Sequence, residues 1–155
     1  MQFILASGSP RRKQLLQTCG IQIDFIIPAR IPEQIRPGEE PLDYCKRLAK
    51  EKSAAVFKED RCVLAADTIV CTETEVFEKP EDDEDAFRIL SSLSGKWHRV
   101  ITAWELKTPT EIRNGASVSK VLFRNLQPVE IRSYIRTGEG KDKAGGYGIQ
   151  GRGAA

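Results

Sequence analysis

"FILASGSPRRKQLLQTCGIQIDFII", residues 3–27, packs three changes of element into one short stretch. Phe3 to Ala6 is an apolar run that breaks at a Ser-Gly-Ser turn. Pro10 then stands at the first helical position behind Ser9 as N-cap, and Gly20 supplies the stop. Leu15, Leu16 and Cys19 fall on one helical face, which is expected to pack. Beyond it, apolar residues at 21, 23, 25 and 27 alternate as in a strand, and Pro28 ends it. The stretch reads as strand, turn, helix, strand. Arg11 and Arg12 occupy the first turn of this helix, where the macrodipole favours anions and each cation costs a few tenths of a kcal/mol. Free N–H groups of the Ser7-Gly8-Ser9 turn beside two guanidinium forks suit a polyphosphate. The plainer alternative is a solvated basic helix start. Neither a P-loop nor a dinucleotide fingerprint is present.

The rest of the chain continues in the same style. Residues 29–40 carry loop chemistry, and Leu42, Cys45, Leu48, Ala49 and Val56 predict a helix over 41–57. "CVLAADTIVC", 62–71, reads as a buried strand broken at its centre by Asp67 and Thr68, and "TETEVFEKP" as its hairpin return. A helix is predicted over 83–94, with Ala86, Ile89, Leu90 and Leu93 inward and Gly95 as stop. Strands over 97–106 and 116–126 flank a Thr-Pro-Thr turn, and a helix follows over 128–137. The glycine-rich end from Gly138 reads as a loop with no packed element of its own, frayed unless something ties it down.

A chain of 155 residues with 40% hydrophobic and 30% charged residues fits one globular domain with a core of its own. The four cysteines form no C-x-x-C pair and read as reduced, small apolar residues. With His98 as the single histidine, no His-based metal cluster can form. A net charge of +2 argues against a dedicated nucleic-acid binder. No apolar run spans a bilayer and no signal peptide is expected, so the expected location is cytoplasmic.

Asp67 is the sharpest chemical signal. An aspartate between Val63-Leu64-Ala65-Ala66 and Ile69-Val70 loses hydration unless a partner, a cation or a solvent-filled groove receives it. That setting suits a general base or a magnesium ligand, and it also suits a structural aspartate paired with backbone or a buried lysine. Lys79, fixed before Pro80, could reach a phosphate or simply be solvated. Gln150, within "YGIQG", could read a base edge through one donor and one acceptor, or lie in a flexible linker. Glu33 and Lys52 are not singled out by spacing. The acidic run 81–85 reads as a solvated helix start, and Trp97, His98 and Trp104 as strand residues on a packed face.

Taken in order, "LASGSPRRKQLL", "AADTIV", "EKP", "LSGKWHRVITA" and "DKAGGYGIQG" resemble the Maf family of nucleoside triphosphate pyrophosphatases, over nearly the whole chain. The resemblance implies an α/β fold like that of inosine triphosphate pyrophosphatases, an elongated mixed sheet flanked by helices with two lobes around a groove. It implies hydrolysis between the α and β phosphates with a divalent cation, Mg or Mn, as cofactor. Carried over residue by residue, the proton acceptor falls on Asp67, the phosphate-gripping arginines on Arg11 and Arg12, and the supporting serines on Ser7 and Ser9. Further active-site positions fall on Glu33, Lys52 and Lys79, and positions tied to substrate choice on Arg12, Thr68 and Gln150. Asp67 and Glu33 are the implied metal ligands.

Within the family, "ADT" with "YGIQG" is similar to the branch acting on dTTP and UTP. The alternatives are a 7-methyl-GTP pyrophosphatase and a nucleotide-binding or cell-division regulatory module without turnover. The implied partner is a small-molecule nucleotide, with no nucleic acid and no membrane, and a homodimer is allowed. Family members continue past "YGIQG" through a further strand and helix. The expectation is therefore a single domain over 1–155 that lacks them.

Overall fold

The computed structural model describes residues 1–154. In chain order the elements are β1 (Gln2–Leu5), α1 (Pro10–Thr18), β2 (Phe25–Ile26), α2 (Pro41–Val56), β3 (Arg61–Cys71) and β4 (Val76–Phe77). They continue with α3 (Asp83–Leu93), β5 (Trp97–Lys107), β6 (Ile112–Leu122) and α4 (Pro128–Arg136), with 3-10 turns at Ala144–Gly146 and Arg152–Ala154. The strands run in the order β2-β1-β3-β5-β6, with β4 paired to β3. β1 is parallel to both β2 and β3, and β4 is antiparallel to β3, so the sheet is mixed and the fold is α/β. The chain divides into two compact units. Residues 1–67 and 102–117 form the first, and residues 68–101 and 118–154 the second.

In the first unit, β1 meets β3 in parallel with Leu5 opposite Leu64, and α2 makes the crossover that a parallel pair requires. Ile4, Ala6, Val63 and Ala65 share one face and bury against Val56, with Ile27 and Phe57 beside them. α1 begins at Pro10 as the sequence predicts, but its expected apolar face does not pack. None of its residues is buried, Leu15 is 63% exposed, and Cys19 is the exposed C-cap. Two adjacent leucines make too narrow a stripe to seat a nine-residue helix. The strand expected over 21–27 shrinks to Phe25 and Ile26, because β1 is itself short and Asp24 caps its start by accepting from Phe3 N at 2.7 Å. β6 begins at Ile112 rather than Ala116. Thr108 N donates to the Glu111 carbonyl at 2.9 Å and closes a tight hairpin, so pairing with β5 resumes at once. Exposed along nearly all its length, β6 needs no apolar alternation to form.

In the second unit, α3 and α4 pack Ala86, Ile89, Leu90, Leu93, Ile131 and Ile135 against Val70 and Phe77, with Tyr147 in the same cluster. All four positions predicted to face inward from α3 are buried. Its start is capped by Asp82, whose side chain accepts from Asp85 N at 2.7 Å. Trp97 and Trp104 depart from the packed face expected of them: they are 64% and 39% exposed, Trp104 lying over Gly115 in the first unit, while His98 is buried.

The glycine-rich end is tied down. Gly145 N donates to the Glu78 carbonyl at 3.0 Å, Gly148 N donates to Tyr134 Oη at 3.1 Å, and Glu139 accepts from the backbone of Arg152 and Gly153. Gly145 sits at φ +73°, and a Cβ there would lie 2.7 Å from the Val70 side chain.

Candidate active site

The parallel pairing of β1 and β3 sets the carboxyl end of β1, at Leu5, beside Leu64, three residues before Asp67, and strand carboxyl ends are where open α/β sheets collect their ligands. Ser7 follows the end of β1 by two residues and β3 carries Asp67; the two are 7% and 4% exposed. Arg12 turns back from the first turn of α1 and donates through Nη1 to Ser7 Oγ and to the Ala66 carbonyl, each at 2.8 Å. Ser7 Oγ also accepts from Ser9 N at 3.3 Å. From α2, Cys45 Sγ donates to the Asp67 carbonyl at 3.4 Å. The backbone on both sides of the Asp67 side chain is thus held from two helices.

Lys52 also comes from α2. Its buried face runs Tyr44, Cys45, Leu48, Ala49, Lys52, Ser53 and Val56, so the ammonium stands where helical spacing calls for an apolar side chain. Lys52 Nζ lies 2.5 Å from Asp67 Oδ1 and 3.1 Å from Glu33 Oε1. Asp67 Oδ2 is buried without a hydrogen-bond partner. Burial raises the Asp67 pKa above the ordinary carboxylate value, against the pull of Lys52 and with help from the Glu33 charge, while Arg12 opposes the rise. Burial works against the Lys52 charge too, but the nearby carboxylates outweigh it and hold the ammonium protonated. Arg12 is lowered by burial, partly offset by Asp67; a guanidinium stays charged through such a shift. The result is a carboxylate more basic than usual, with one oxygen pinned by a cation and the other open to a proton.

Of the residues the sequence proposed, the structure brings together Ser7, Arg12, Glu33, Lys52 and Asp67, with Ser9 in the supporting turn. Arg11 is exposed at the start of α1. Thr68, Lys79 and Gln150 belong to the second unit, where Thr68 is half-buried and Lys79 and Gln150 are exposed. Sequence reasoning passed over Cys45 and the Ser53–Glu105 pair. Glu105 is 5% exposed and accepts from Ser53 Oγ, binding β5 to the helix beside Lys52. The available signal was positional: Cys45 and Ser53 lie on the apolar face of α2, and Glu105 falls in phase with buried Ile101 and Ala103.

Asp67 and Glu33 offer hard oxygen donors around one shared ammonium, and the unpartnered Asp67 Oδ2 is the feature a divalent cation would fit. Among the described residues no cluster of three or more His, Cys, Asp or Glu forms. A magnesium-like ion held by one or two carboxylates commonly completes its shell with substrate phosphates and water, so the donor set suits that chemistry.

Residues 2–155 match the family described as Maf-like protein. The chain belongs to the Maf family. Among its Maf relatives, the dTTP/UTP pyrophosphatase of Aquifex aeolicus (strain VF5) is 46% identical over 156 residues, covering 99% of this chain and 81% of the relative. That of Syntrophomonas wolfei is 48% identical over 154 residues, covering 97% and 81%. That of Geobacter sp. (strain M21) is 48% identical over 154 residues, covering 96% and 78%.

Proposed function

We infer that this Maf chain is a nucleoside triphosphate pyrophosphatase acting on dTTP and UTP, releasing a nucleoside monophosphate and pyrophosphate. The observation that carries the mechanism is Asp67, buried, with Oδ1 pinned by Lys52 and Oδ2 without a partner. In this reading Asp67 Oδ2 takes a proton from a water whose oxygen attacks the α phosphorus. The bond from that phosphorus to the bridging oxygen breaks, and the electron pair leaves on pyrophosphate. Arg12, Lys52 and the N-terminal turn of α1 face the charge that builds on phosphate oxygens, the largest contribution in phosphoryl transfer.

A bound Mg or Mn ion, held by Asp67 and Glu33, would neutralise phosphate charge. For Arg11, Thr68, Lys79 and Gln150 the support is the likeness of their motifs to the family's, from which a part in phosphate contact or substrate choice is proposed. The likeness to inosine triphosphate pyrophosphatases belongs to the same proposal.

The test is pyrophosphate release from dTTP, UTP, CTP, GTP, ATP and 7-methyl-GTP with Mg or Mn. Release from dTTP and UTP, abolished in Asp67→Asn at unchanged folding, is expected. Turnover by Asp67→Asn near the wild-type rate would remove the base assignment. Tight nucleotide binding without release would favour a binding module.

A further inference from the structure

Glu33 reaches Lys52 from a loop, residues 29–40, whose apolar anchorage lies at its start: Ala29 packs on the core and Ile31 is half-buried, but residues 32–38 are exposed, with Ile35 at 43% and the Glu33 side chain at 40%. Such a loop needs another fastening to keep a carboxylate in place. Arg47 on α2 supplies one. Its Nε and Nη2 grip the two oxygens of Glu39 at 2.6 and 2.8 Å, fork to fork. Nη2 also donates to the Gln34 carbonyl at 2.9 Å, and Nη1 to Glu51 at 3.2 Å. The guanidinium carbon sits 5.3 Å from the centre of the buried Tyr44 ring. Glu39 in turn accepts from Arg36 N at 2.9 Å, closing the end of the loop.

We propose that Arg47 is a positioning residue for the pyrophosphatase reaction, holding the loop at Gln34 and Glu39 so that Glu33 is delivered to the Lys52–Asp67 pair. The inference rests on the function proposed above. The Gln34 carbonyl is one residue beyond Glu33, so the grip acts next to the carboxylate it places. Lys52 and Arg47 stand on the same helix, which fixes the loop at its side chain and at its backbone from one rigid element. Arg47 and Glu39 side chains are 16% and 12% exposed, so salt screens them less than a surface pair. Hydrogen bonding to Arg47 holds the Glu39 pKa down to about 2, so the fork stays charged wherever a neutral-pH enzyme works. Lysine cannot replace it, because one ammonium cannot span a carboxylate, a carbonyl and a second carboxylate in a fixed plane.

The experiment compares wild type, Arg47→Ala, Arg47→Lys and the distant control Arg113→Ala in dTTP and UTP turnover, melting temperature and amide hydrogen exchange. Both Arg47 variants should lose kcat by roughly 10- to 100-fold with KM within about threefold, the scale expected when a catalytic group is misplaced by about 1 Å. Exchange should quicken about tenfold at the hydrogen-bonded amides of Arg36 and Glu39 and stay unchanged in β1 and β3. The control should match wild type. Unchanged loop exchange in Arg47→Ala overturns the inference, as does full kcat in Arg47→Lys. A loss of kcat matched by faster exchange throughout the first unit also overturns it, since Arg47 would then serve stability alone. An inactive wild-type chain would overturn the proposed function and the catalytic half of this inference with it. The loop exchange would still decide whether Arg47 fastens the loop.

Discussion

At the residue scale the chemistry turns on two buried charges that depend on each other. Asp67 tolerates burial because Lys52 answers one oxygen, and Lys52 tolerates it because two carboxylates surround its ammonium. Removing one member of such a pair leaves the other uncompensated and costs about 3–5 kcal/mol. Lys52→Met should therefore lower both stability and turnover, read by denaturant unfolding and by pyrophosphate release. Asp67→Asn, which keeps the shape and loses the base, should abolish turnover at a smaller cost in stability. The sequence made Asp67 legible, since an aspartate inside an apolar strand is conspicuous by itself. Lys52 was named only through the family resemblance, because a lysine in a helix is ordinarily solvated and its spacing did not single it out.

At the element scale, the second unit shows how a glycine-rich segment becomes structure. Tyr147 enters the core of α3 and α4, and its hydroxyl meets His98 Nε2 at 2.7 Å, with the Phe123 ring edge-on to both. Burial lowers the His98 pKa below its usual 6.5 and pushes the Tyr147 pKa up to about 12. Below pH 6.5 the unfolded chain binds the histidine proton more readily than the folded one, so stability is complete above about 6.5 and declines as pH falls. His98→Gln should show a smaller drop in melting temperature between pH 7.5 and 5 than wild type. Leu93→Ala, at a fully buried α3 position, should cost about 2–5 kcal/mol in chemical denaturation. The periodicity of α3 announced its inward face correctly because four apolar residues repeat at helical spacing. α1 offered no such repeat, and its face stayed exposed.

At the scale of the whole molecule, the thiols report which segments are buried and which are exposed. Cys45 and Cys71 are buried, Cys62 is half-buried and Cys19 is exposed at the end of α1. Burial pushes the Cys62 and Cys71 thiols up, away from the reactive thiolate. A thiol reagent at neutral pH should modify Cys19 rapidly in the native protein and reach the buried thiols on unfolding, which a time course of modification followed by peptide mapping would resolve. Rapid reaction at Cys45 in the native state would contradict the packing of α2 on β3.

The sequence by itself determined the alternation of strands and helices, the buried strand with its aspartate, the helix starts at Pro10, Pro41 and Pro128, and the family. Those features are local: apolar period, proline and glycine at element ends, and short motifs in fixed order. The tertiary structure alone decided that β1 and β3 pair in parallel, that Arg12 folds back to the Ala66 carbonyl, and that Lys52 gathers Glu33 and Asp67 from two distant segments. It also decided that β2 is two residues long and that Arg47 fastens a loop. These are long-range pairings, in the charged cases ones whose attraction and hydrogen bonding offset the cost of desolvating each partner, and no residue's own sequence neighbourhood encodes which distant charge will answer it.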